Sequence, residues 1–196
     1  MFSILLLTIA SLTTLPCLDT VLPIGEKELL APREKWPAME RVADTLNIAL
    51  LTSFGYADST GAVPEKVEVY QIANCLDSAS MQNEFHMSLF LVSGVEGDRD
   101  VSVWLVTSRN NTIIARSLVA QLQTTCASTY LRACSLQPDG ALFVQQLQHN
   151  FNCDTDEFVN TDHLPSFVIS VNDDGTIMDV MPEALPDTPN NTQQPE

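Results

Sequence analysis

The chain has 196 residues, 45% of them hydrophobic, and sets 25 acidic side chains against 9 basic ones for a net charge of −16. So few cations can neutralise little phosphate, which argues against nucleic acid and anionic membrane surfaces as partners and leaves basic proteins, cationic surfaces or cations as acceptable ones. The length suits one domain with a sizeable core.

Residues 1–17, MFSILLLTIASLTTLPC, carry no charged side chain, and their apolar run from Phe2 to about Leu12 is too short to span a bilayer. They read as a secretory signal peptide cut after Cys17. Later apolar runs, Val101 to Val106 and Ile113 to Leu122, are broken by polar residues, and the ending LPDTPNNTQQPE lacks the hydrophobic tail of a glycolipid anchor. The expected product is secreted and extracellular, without a membrane span. Residues 18–37, with prolines at 23, 32 and 37, read as an irregular N-terminal arm.

A single globular domain is expected over 38–181. Met39, Val42, Leu46, Leu50 and Phe54 recur at helical steps, so AMERVADTLNIALLTSFGY reads as an amphipathic helix. KVEVYQIANC alternates as a strand. EFHMSLFLV and VSVWLV alternate too, with Phe85, Met87, Leu89 and Leu91 on one face and Val101, Val103 and Leu105 on its partner, and SGVEGDRD joins them as a hairpin. The opposite face, with His86, Phe90, Val92, Trp104 and Val106, is apolar enough to be covered as well.

Ile114, Leu118, Leu122 and Cys126 step by four, which predicts a long helix after the hairpin. PDG at 138–140 interrupts, and ALFVQQLQHNF reads as a shorter second helix. CDTDEFVNTDHLP reads as a polar loop, and SFVISV and TIMDVM as two strands around NDDG. Residues 182–196 are too rich in proline, asparagine and glutamine to build a core and read as a disordered polar tail. The expected fold class is α+β, an antiparallel sheet of about four to five strands packed by the N-terminal helix and the central helical pair.

Cys75, Cys126, Cys134 and Cys153 remain once Cys17 leaves with the signal, and four cysteines in an oxidising compartment predict two disulfides with three connectivities. On one helix Cys126 and Cys134 would lie about 12 Å apart, whereas a bridge needs Cα atoms within about 7 Å. The favoured pairs are Cys134 with Cys153 and Cys75 with Cys126. Zinc is disfavoured, because C-x2-C spacing is absent. Sequons N-x-T stand at Asn110 and Asn190.

The three histidines, His86, His149 and His163, form neither H-E-x-x-H nor a spaced metal pair, and there is no G-x-S-x-G. No catalytic residue, cofactor or metal ligand is therefore assigned. SVNDDGTI resembles a calcium loop when Gly175 takes the sixth position, which puts Asn172 at the third and Asp174 at the fifth. The twelfth position then falls on Met181 where a bidentate glutamate is required. D-G between two β-rich runs predicts a hairpin turn instead, leaving at most a weak calcium association.

The stretch FLVSG, Phe90 to Gly94, following an amphipathic helix and a strand, resembles the cystatins, whose inhibitory hairpin carries Q-x-V-x-G. Val92 and Gly94 match that motif and Phe90 replaces its glutamine. The resemblance implies protease inhibition through that turn. The functional expectation is a secreted, acidic, N-glycosylated, non-enzymatic extracellular protein with a structural, matrix or binding role. The alternative is a protein-binding effector or cystatin-like inhibitor. The oligomeric state is not expressed in the sequence.

Overall fold

The computed structural model describes residues 16–64, 67–75, 85–94 and 100–180. The signal-peptide reading, apart from the backbone of 16 and 17, lies outside the described residues, as do the C-terminal tail and Asn190. Nine strands form one antiparallel sheet whose spatial order is the chain order: β1 (Glu40–Arg41), β2 (Val67–Cys75), β3 (His86–Gly94), β4 (Val101–Arg109), β5 (Thr112–Thr124), β6 (Ser128–Leu136), β7 (Leu142–Phe151), β8 (Phe158–Val171) and β9 (Ile177–Val180). The helices are short: α1 (Pro16–Asp19), α2 (Glu26–Leu30), α3 (Pro32–Lys35) and α4 (Asp44–Phe54).

This corrects the α+β expectation of four to five strands with a central helical pair. The two expected helices are β5, β6 and β7, and the expected polar loop is largely the first half of β8. A step of four is also two strand repeats, so Ile114, Leu118 and Leu122 fit either period. Alternation was hidden because β5 carries two bulges. Opposite Val103 and Trp104 it pairs Ala120 and Leu118, so Val119 is the extra residue, and opposite Thr107 and Ser108 it pairs Ala115 and Ile113. Each bulge shifts the inward phase by one residue, and Val119 and Ala120 are both buried as a result.

The hairpins follow from turn chemistry. Asn110 and Asn111 both have positive φ, 50° and 63°, as a two-residue turn of the mirror-image type demands, and they join β4 to β5. At Asp139–Gly140, Gln137 N–H donates to Ala141 O at 2.8 Å and Gly140 N–H to Gln137 O at 2.9 Å. At Asp174–Gly175 the same two bonds run from Asn172 to Thr176 O and from Gly175 to Asn172 O, both 2.9 Å. PDG is thus a hairpin between β6 and β7, not a break between helices.

The β3–β4 hairpin divides two cores. On one face Met87, Leu89 and Leu91 meet Val101, Val103 and Leu105, within a cluster that also holds Leu18, Val21, Leu22, Ile24, Leu29 and Trp36. Residues 18–37, expected to be an irregular arm, therefore carry short helices and fill the main core. On the other face α4 lays Leu50, Leu51 and Phe54 over Val69, Phe90, Val92 and Val106. Phe54 stacks on Trp104 at 4.6 Å, and the buried Asn47 Oδ1 accepts Val69 N–H at 2.8 Å. Gly55, at φ +88°, ends α4.

The sheet turns back on itself at the β5–β6 junction, where pairing spans only Gln121–Thr124 against Thr129–Arg132. Beyond it, Cys134 exchanges both backbone hydrogen bonds with Ile24, at 2.8 and 2.9 Å, so the N-terminal segment continues the ladder where β5 leaves. The β8–β9 hairpin then meets β4 and β5: Thr107 Oγ1 donates to Gly175 O in its turn at 2.6 Å, and Ser117 Oγ to Asp179 Oδ1 on β9 at 3.3 Å.

Candidate functional site

The cysteines differ from the expected pairing. Cys126 bonds Cys153, joining the β5–β6 turn to the β7–β8 turn at one end of the sheet. Cys134 is a buried free thiol, with burial pushing its pKa up to about 12. Cys75 is also disulfide-bonded. Neither favoured pair forms, because Cys134 points into the core from the middle of the sheet while Cys126 and Cys153 sit in adjoining loops.

The other singled-out residues are scattered. Asn110 is exposed at the β4–β5 tip. His86 is exposed at the start of β3; His149 Nδ1 bonds Thr161 Oγ1 at 2.8 Å, and His163 lies opposite Leu147. Among the described residues no three His, Cys, Asp or Glu side chains converge as metal ligands would. In the turn after β8, the Asp174 carboxylate accepts from Thr176 N–H at 2.9 Å and Thr176 Oγ1 at 2.6 Å, which holds its pKa below the ordinary value. Val92, 2% exposed, packs beneath α4, and Gly94 ends β3.

What the strands do bring together is a set of polar side chains absent from the sequence-based assignments. Register places Gln123 beside Tyr130, Tyr130 beside Gln148 and Gln148 beside Asp162. One step along, Gln121, Arg132 and Gln146 form a second row, and Ser128, Asn150 and Asn160 a third. Alternation puts all three rows on one face of β5–β8, with rows about 6.8 Å apart and neighbours within a row about 4.8 Å apart.

The rows are tied together. Asn150 Nδ2 donates to Asn160 Oδ1 and to Asp162 Oδ2, both at 2.8 Å, and Asn160 Nδ2 to Asp162 Oδ1 at 3.2 Å. Gln148 Nε2 donates to Asn150 Oδ1 at 2.9 Å. Tyr130 OH donates to Gln146 Oε1, which also accepts from Arg132 Nη2 at 3.1 Å. Gln146 Nε2 reaches Pro165 O at 2.6 Å. Pro165 sits where β8 bulges against β7, a position that tolerates its missing N–H. Arg132 also donates to Leu118 O at 2.9 Å and lies 5.3 Å over the Phe167 ring.

Both charges in the patch are therefore engaged, Arg132 by carbonyl oxygens and an aromatic face, Asp162 by two amides. The remaining groups are amides, a phenol and the Ser128 hydroxyl, which both donate and accept. Gln123, Asn160 and Asp162 are exposed and the others half-buried. Such a surface can recognise a ligand by hydrogen bonding. The signal for it is in the sequence as period-two polar runs, QLQ at 121–123, YLR at 130–132 and QLQHN at 146–150, which the helix expectation obscures, and NTD at 160–162, which the polar-loop expectation obscures.

The reverse side of the same end carries an aromatic group. Phe151 and Phe158 meet edge to face at 6.0 Å, His149 lies 6.5 Å from Phe158, and Phe158 is 60% exposed. No family model, no curated protein and no solved structure matches the chain.

Proposed function

We propose that this chain is a secreted, N-glycosylated, non-enzymatic extracellular protein with a binding role in its matrix or at a partner surface, and that the polar face of β5–β8 is where it binds. The observation that carries the reading is the mutual hydrogen bonding of that face, from Arg132 and Gln146 to Asn150, Asn160 and Asp162, beside the Cys126–Cys153 bridge. Side chains already ordered lose less freedom on binding, so the face is pre-organised. The uncharged leader-like start, the disulfides and the exposed sequon at Asn110 support an oxidising, glycosylating compartment. A cystatin-like mode is less well supported, because Val92 contributes to the α4 interface.

Expression of the full chain with its own N-terminus in eukaryotic secretory cells tests the first half. The protein should enter the medium, and Asn110→Gln should remove an endoglycosidase-sensitive mass increment; cytosolic, unglycosylated protein would refute secretion. Retention of the secreted protein on matrix deposited by the same cells tests the second half. A Gln148→Ala/Asn150→Ala variant should lose most of that retention, and full retention would remove the polar face from the account.

A further inference from the structure

We infer that the ligand of the β5–β8 polar face is a neutral, hydroxyl-rich glycan; this rests on the binding role proposed for that face. A basic protein or cation would be drawn to net negative charge, yet the one carboxylate of the face, Asp162, is matched by its one guanidinium, Arg132, and both carboxylate oxygens already accept amide N–H groups. A polyanion would seek free guanidinium groups, yet Arg132 is spent on Leu118 O, Gln146 and the Phe167 ring, in a chain of net charge −16. The two formal charges of the face thus offset each other, and its other groups are neutral. A sugar hydroxyl both donates and accepts, and the amides keep matching capacity beyond their mutual bonds: one N–H each on Gln146, Gln148 and Asn160, and acceptor positions on Gln148 Oε1 and Asn150 Oδ1.

The arrangement suits an extended chain of sugars. Three rows of hydrogen-bonding groups run across the strands, with repeats of about 4.8 Å along each row, so successive rings can be met by successive side chains. Tyr130 stands in the middle row between Gln123 and Gln148 and adds a flat aromatic group for the apolar C–H side of a ring. The Cys126–Cys153 bridge and the bond from Phe151 N–H to Ala127 O, at 2.8 Å, join the two loops that end the third row.

Calorimetry of the secreted full chain against cellohexaose, chitohexaose and mannohexaose, with heparin and polygalacturonate in parallel, tests the inference. The expected result is binding of at least one neutral hexasaccharide, changed less than twofold between 0.1 and 0.5 M salt, and weakened at least tenfold in Gln148→Ala/Asn150→Ala. A second variant, Gln148→Glu/Asn150→Asp, keeps the side-chain shapes and should weaken the same binding. Thermal melts show whether each variant folds, and if the alanine pair does not, the isosteric pair decides. Preference for heparin or polygalacturonate, or steep loss of binding with salt, would overturn the inference. Matrix retention without any neutral-glycan binding would also overturn it while leaving the binding role standing, whereas loss of both would remove that role as well.

Discussion

At Gly175 a φ of +87° and close packing act on the same atom. A Cβ there would come within 2.8 Å of Ile114 Cδ1 and 3.1 Å of Phe85 Cγ. Gly175→Ala therefore combines left-handed strain with overpacking, and a loss of about 2–4 kcal/mol is expected from denaturant unfolding. Beside it, the hydrogen bonds from Thr176 hold Asp174 below the ordinary carboxylate pKa. A depressed folded pKa contributes stability above the ordinary value and loses it as pH falls through the folded one. Acidification below the ordinary carboxylate range should thus weaken the turn, and Asp174→Asn should flatten that part of a pH–melting curve. Cys134, with its pKa pushed up to about 12 inside the core, should resist iodoacetamide at pH 8 and be alkylated only in denaturant, as peptide mass mapping can check. The D-G turn was legible because glycine at that position has a local cause. The state of Cys134 was not, because pairing depends on which loops the sheet brings together.

Among the elements, the β3–β4 hairpin was legible on both faces, since undisturbed alternation names the side each residue occupies. β5 was not, because Val119 and the extra residue near Ile114 shift its phase and imitate a step of four. PDG at 138–140 and NDDG at 172–175 carry the same turn bonds, so the D-G rule that found one hairpin would have found the other had the flanks been read as strands. α4 illustrates a smaller displacement: Leu46 belongs to the expected apolar stripe but is 46% exposed, while Asn47 is buried and fastened to Val69. The Cys126–Cys153 bridge spans 27 residues. Loop-closure entropy for that length suggests a loss of about 3–4 kcal/mol on its removal. Cys126→Ser/Cys153→Ser should show that loss in denaturant melts, and hydrogen exchange should rise first at Ser128, Asn150 and Asn160, next to the released loops.

Across the whole molecule, one meander turns back at a four-residue pairing and is closed by a segment that precedes it in the chain. Ile24 bonding Cys134, and the β8–β9 turn reaching Thr107, are contacts between distant parts of the sequence. No local pattern announces them, so the sequence alone under-counts the strands and presents residues 18–37 as an arm. The polar face is a product of the same scale: each strand supplies two or three side chains, and only register assembles them. Few unengaged cations remain in a chain of −16, so recognition through neutral hydrogen bonding is the consistent use of that face. The most direct test follows the side-chain amide resonances of the folded protein by heteronuclear NMR as the neutral hexasaccharides are added. The account predicts saturable shifts confined to Gln146, Gln148, Asn150, Asn160 and their strand neighbours; shifts centred elsewhere, or none with any of the three sugars, would contradict it.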